Sequence, residues 1–118
     1  MVGRDAVLDA LGDRTRREIL ECLRTGPQPV GVIAESLTVG RPAVSQHLKV
    51  LKLAGLVTDE AVGTRRMYRL NPEGLQTLEE YARSFWSSAL QRYRQAAKRA
   101  AQPATDRRGP SKGGSDER

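Results

Sequence analysis

Val39-Gly40-Arg41-Pro42-Ala43-Val44-Ser45-Gln46-His47-Leu48-Lys49-Val50-Leu51-Lys52-Leu53-Ala54-Gly55-Leu56-Val57 is the stretch on which the reading of this chain turns. Val44, Leu48 and Leu51 stand at the i, i+4, i+7 spacing that lines up one buried stripe of a helix. Arg41, Ser45, Gln46, Lys49 and Lys52 fall off that stripe. These are side chains that hydrogen-bond base edges and phosphates. Pro42 sits in the first turn, where its missing N–H costs nothing. Gly55 follows the last periodic residue, as a glycine ending a helix does.

The flanks define what kind of helix this is. Upstream, Val30-Gly31-Val32-Ile33-Ala34-Glu35-Ser36-Leu37 reads as a short helix and Thr38-Val39-Gly40 as a turn. Two helices joined by a short glycine-bearing turn make a helix-turn-helix. Downstream, Leu56-Val57-Thr58-Asp59-Glu60 and Arg65-Arg66-Met67-Tyr68-Arg69-Leu70 read as two strands around the loop Ala61-Val62-Gly63-Thr64. The expected fold is mainly α with a small β-hairpin, a winged helix-turn-helix in the order α-α-α-α-β-β-α.

The remaining elements follow from punctuation. Residues 4–11 predict a first helix with Val7, Leu8 and Leu11 on one side. Asp13 is a good N-cap for a second helix over about 14–24, with Ile19, Leu20 and Leu23 inward, stopped by Gly26 and Pro27. Asn71-Pro72 restarts the chain as cap and first helical residue. The helix from there to about 101 carries Leu75, Leu78, Ala82, Phe85, Trp86, Ala89, Tyr93 and Ala97 at three- and four-residue steps. A domain this small cannot cover so long a stripe alone, so pairing with a second copy is expected. Residues 1–102 are read as one DNA-binding and dimerisation domain. Residues 103–118, rich in Pro, Gly, Ser and mixed charge, are expected to be disordered.

In order and spacing, Ala10-Leu11-Gly12-Asp13-Arg14-Thr15-Arg16-Arg17-Glu18-Ile19-Leu20, then Pro42 through Leu51, Ala54 through Val57 and Gly63 through Leu70 resemble the ArsR-type winged-helix repressors. The resemblance runs over roughly residues 5 to 100. Arg14 stands where that family often has proline, and Gly40 where it often has a serine cap. The resemblance implies a homodimeric DNA-binding repressor with its first and last helices at the interface. Val7, Leu8, Leu11, Leu78, Ala82, Phe85, Trp86, Ala89 and Tyr93 are then the interface candidates. It also gives Ser45 and Gln46 the positions that read bases in the major groove.

Arg41, Pro42, Ser45, Gln46, His47, Lys49 and Lys52 are the DNA candidates on the helix, and Gly63, Thr64, Arg65 and Arg66 those on the wing tip. Lys49 and Lys52 suit phosphates. Arg41 suits either a guanine edge or a phosphate. Paired arginines beside a flexible glycine suit a minor groove or its phosphates. The expected partner is a double-stranded, inverted-repeat operator, with autoregulation as a family-level corollary. A ligand- or redox-responsive derepressor and a winged helix used only for protein contacts are the alternatives.

Composition agrees. The 118 residues carry a formal charge of +6, and residues 103–118 contribute only +1 of it, so the excess belongs to the fold. A basic domain suits a polyanion. The lone Cys22 excludes an internal disulfide and reads as a small, partly buried hydrophobe. No membrane span or apolar leader is visible, and a cytoplasmic location is expected. Metal sites are not expected. The segment that would hold thiolates in arsenic- and cadmium-sensing relatives is here Pro29-Val30-Gly31-Val32-Ile33-Ala34, without cysteine, and the last helix has no histidine. His47, the one histidine, has no ligand-type cluster in sequence around it. No cofactor and no catalytic constellation are expected.

Overall fold

Each helix begins or ends where a specific side chain or backbone geometry supplies the missing hydrogen bonds. The computed structural model describes residues 2–101. Residues 102–118, including the stretch expected to be disordered, lie outside them. α1 spans Arg4–Ala10 and α2 Arg14–Cys22, the latter capped by Asp13, whose carboxylate accepts from the Arg16 amide at 3.1 Å. A short 3-10 turn, Leu23–Thr25, runs into Gly26 at φ 140°. α3 is Val30–Glu35 and α4 Arg41–Leu53, with Gly40 as N-cap and Pro42 in the first turn.

α4 ends in paired reverse hydrogen bonds, Gly55 N–H to the Lys52 carbonyl and Leu56 N–H to the Leu51 carbonyl, with Gly55 at φ 85°. This is the glycine-dependent stop that the sequence suggested. β2 (Val57–Val62) and β3 (Arg65–Leu70) then form the wing, paired antiparallel from Val57↔Leu70 to Val62↔Arg65. Gly63 turns the chain at φ 64°.

The sheet has one strand more than the sequence suggested. β1, Gln28–Pro29, pairs with β3 at Gln28↔Tyr68 and Pro29↔Met67, giving the order β1-β3-β2. Gln28 is held in place by its side-chain amide, which donates to the Cys22 carbonyl at 2.8 Å. A two-residue edge strand containing proline has no periodicity to announce it, and only tertiary pairing makes it a strand.

The core is aliphatic. Ile19, Leu23, Ile33, Val44, Leu48, Leu51, Leu56 and Val57 are all 2% exposed or less. Burying a side chain of this kind stabilises by about 1.5–3 kcal/mol. The stripe read from α4 is thus the wall against which α2, α3 and the wing pack. α5, Pro72–Ala101, starts on Asn71, whose side-chain oxygen Oδ1 accepts from the Glu73 amide and whose side-chain NH2 donates to the Gly55 carbonyl at 2.8 Å. Gly74 lies against that same turn: a Cβ there would overlap the Gly55 carbonyl oxygen. The chain divides into two units after Ala82. In the second, the described residues 83–101 are helical.

Candidate nucleic-acid interface

α4 sorts its side chains as its spacing requires. Val44, Leu48 and Leu51 are buried, while Arg41, Pro42, Ser45, Gln46, Lys49 and Lys52 are exposed. Arg41, Ser45, Lys49 and Lys52 follow one another at four-, four- and three-residue steps and form one row. Pro42 and Gln46 form the neighbouring row, with Leu53, 79% exposed, at its end. His47 is half-buried on the flank of α4 that carries the core, and its field acts on Asp13, the cap of α2. Asp13 is held below the usual aspartate range first by the Arg16 amide and to a smaller extent by His47.

The wing arginines face opposite sides of the sheet. Successive strand residues face opposite sides of a sheet. In the β2–β3 register Asp59 opposes Tyr68 and Ala61 opposes Arg66, so Asp59 and Arg66 share the face toward α4. Arg65, opposite Val62, shares the other face. Arg66 donates to Asp59 at 3.1 Å, and Lys52 of α4 reaches the other carboxylate oxygen at 2.8 Å. The Asp59 side chain is only 7% exposed, whereas those of Lys52 and Arg66 are about half exposed. The Lys52 hydrogen bond chiefly, then that from Arg66, holds this carboxyl below the usual aspartate range against its partial burial.

Sequence reasoning did not single out Asp59. An acid in a strand carries no signal until the register brings two cations to it. Two of the expected phosphate ligands, Lys52 and Arg66, are therefore already engaged within the protein. Arg41, Lys49 and Arg65 make no ion pair among the described residues. Arg41 lines an open groove with Glu35 of α3, Thr64, Arg65 and Arg66 of the wing and Tyr68. The groove brings the N-terminus of α4 and the wing tip, read separately in sequence, to one surface. Gly63 and Thr64 are exposed at the turn.

The interface candidates split. Val7 is fully buried in the chain's own core, which removes it from the surface. Leu11 and Leu78 are half-buried and pack against that core, and Leu8 is half-buried. Ala82 is exposed in the first unit. In the second, Phe85 (58%), Trp86 (61%), Ala89 and Tyr93 (71%) are exposed. No helix among the described residues is long and apolar enough to cross a membrane.

Comparison with known proteins agrees with this geometry. Residues 13–59, from the cap of α2 to Asp59, match the family described as bacterial regulatory protein, arsR family. The HTH-type transcriptional regulator Rv2034 of Mycobacterium tuberculosis is 54% identical over 91 residues, 77% of this chain and 85% of that protein. The transcriptional repressor SdpR of Bacillus subtilis is 40% identical over 70 residues, 59% of this chain and 78% of its own length. Among solved structures, the homodimeric winged helix-turn-helix DNA-binding domain of Mb0332 from Mycobacterium bovis, a possible ArsR-family regulator, matches with a TM-score of 0.59 and 30% identity, over 75% of this chain and 82% of that one. With the helix-turn-helix, the wing and the relatives in agreement, the chain belongs to the arsR family of bacterial regulatory proteins, DNA-binding transcriptional regulators of winged helix-turn-helix fold.

Proposed function

We propose that this protein is a homodimeric repressor that acts in the cytoplasm on an inverted-repeat operator and does not respond to metal ions. The observation that carries the reading is the exposed row Arg41, Ser45 and Lys49 on α4, with Gln46 beside it and Arg65 on the adjoining wing. Two copies related by a two-fold axis set two α4 helices into successive major grooves of one duplex face. Ser45 and Gln46 read base edges there. Arg41, Lys49 and Arg65 take phosphates or groove edges, and Gly63 and Thr64 allow the wing tip a close approach. The bound dimer excludes polymerase.

Homodimerisation is supported by the exposed Phe85, Trp86 and Tyr93 and by the homodimeric state of the Mb0332 domain. A repressor role is supported by the likeness to SdpR. The absence of a metal response rests on residue content: no cysteine over residues 29–34 and no histidine in α5. The test is a gel shift on the DNA upstream of the protein's own gene, with sedimentation of the same sample. A dimer that retards this fragment and spares a mixed-sequence duplex is expected. A monomer, or equal affinity for both duplexes, would refute the reading.

A further inference from the structure

Asp59 joins the two parts of the DNA surface. Its half-exposed partners come from different elements, Lys52 from the last turn of α4 and Arg66 from β3, and the carboxylate between them is withdrawn from water. The other ion pair of the hairpin, Arg69 to Glu60 at 3.0 Å, lies on the opposite face, within the sheet, and does not reach α4. A charge pair fixes relative position best where one member is shielded from water; the Asp59 side chain is 7% exposed, and it bridges two elements through Lys52 at 2.8 Å and Arg66 at 3.1 Å.

We propose that Asp59 is a positioning residue for DNA binding: it fixes the wing against α4 and holds Lys52 and Arg66 off the phosphates, so that selectivity is gained and indiscriminate affinity is reduced. The inference rests on the DNA-binding reading above. It makes a prediction that plain charge counting does not. Removing an acid beside a polyanion strengthens binding to every duplex. If Asp59 orients the wing, its removal also weakens the preference for the chosen sequence.

Asp59→Asn keeps the shape and removes the charge. Two measurements on the full chain decide the matter. The first is amide hydrogen exchange of β2 and β3 in the free protein, which needs no DNA. Exchange in the wing is expected to rise about tenfold in the variant, while the core of α2 and α4 stays protected. The second is the affinity ratio between a duplex enriched by the parent protein from a random-sequence pool and a mixed-sequence duplex at the same salt. The ratio is expected to fall about tenfold, with mixed-sequence affinity rising.

Unchanged wing exchange, or equal tightening on both duplexes, would overturn the proposal and leave Asp59 a mere counter-charge. A parent protein that enriches no sequence would refute the DNA reading instead, and the exchange arm would still decide the bridge. Should Asp59→Asn fail to fold, Arg66→Gln breaks the same bridge from the exposed side. Wing exchange should rise there too, and protection equal to the parent's would count against the proposal.

Discussion

Gln46 is exposed on α4, one row away from the basic residues, and its amide can pair with an adenine edge. Gln46→Ala should weaken binding to the selected duplex by about 1–3 kcal/mol and mixed-sequence binding far less, measured by gel shift at matched salt. Gly74 offers a stability test. A Cβ would overlap the Gly55 carbonyl, which is backbone and cannot swing aside, so Gly74→Ala should cost about 1–3 kcal/mol in chemical denaturation. For Asp59 the sign of the pH effect follows from its lowered pKa. A carboxyl that releases its proton more readily when folded stabilises fully above the ordinary aspartate range, and this is lost as pH falls through the folded value. Parent and Asp59→Asn should therefore differ in unfolding midpoint near neutral pH and converge in strong acid. A difference that persists at about pH 2 would mean the charge is not what stabilises.

Among the elements, α4 and its ends were legible because everything that defines them is local. Val44, Leu48 and Leu51 give the face, Pro42 the start, Gly55 the stop, and Asp13 and Asn71 cap their helices as their chemistry suggests. What escaped depends on residues far apart in sequence. β1 exists because Gln28 meets Tyr68, and Asp59 matters because Lys52 and Arg66 converge on it. Val7 shows the same limit: the periodicity of α1 gave an apolar side, but not whether that side met its own core or another copy. The alternation of the wing puts the two arginines on opposite faces, and only Arg66 meets Asp59. Arg65→Ala should flatten the salt dependence of DNA binding, by up to about 1 in slope for each phosphate the side chain no longer neutralises. Arg66→Ala should change the slope less, because its guanidinium is partly compensated by Asp59, which it shares with Lys52.

For the molecule as a whole, the proposed function turns on two copies binding one duplex. Trp86 is 61% exposed and Phe85 58%, and burying such rings against a partner stabilises by about 1.5–3 kcal/mol each. Trp86→Asp should give monomers that keep the helical circular dichroism of the folded chain but no longer hold the selected duplex, since one half-site forfeits the linked affinity of two. Sedimentation and gel shift on the same samples check this. A variant that stays dimeric would move the interface elsewhere.

The approach of Gly55 to Gly74 carries a different kind of consequence. The chain leaves the end of α4 at one glycine and returns to the same spot at the other, with the Asn71 amide hydrogen-bonded to the Leu56 carbonyl across the gap. The wing is thus a closed excursion whose base is fastened independently of its length. A hairpin shortened by one facing pair, Val62 and Arg65, keeps the inward and outward alternation of every remaining residue. It should also leave the entry into α5 untouched. The tip of the hairpin, residues 62–65, can then be exchanged: tips of other lengths and charges would vary what the wing reaches, while Val57 in the core, the bridge from Asp59 to Lys52 and Arg66, and the pairing of Tyr68 with Gln28 hold the rest of the hairpin in place.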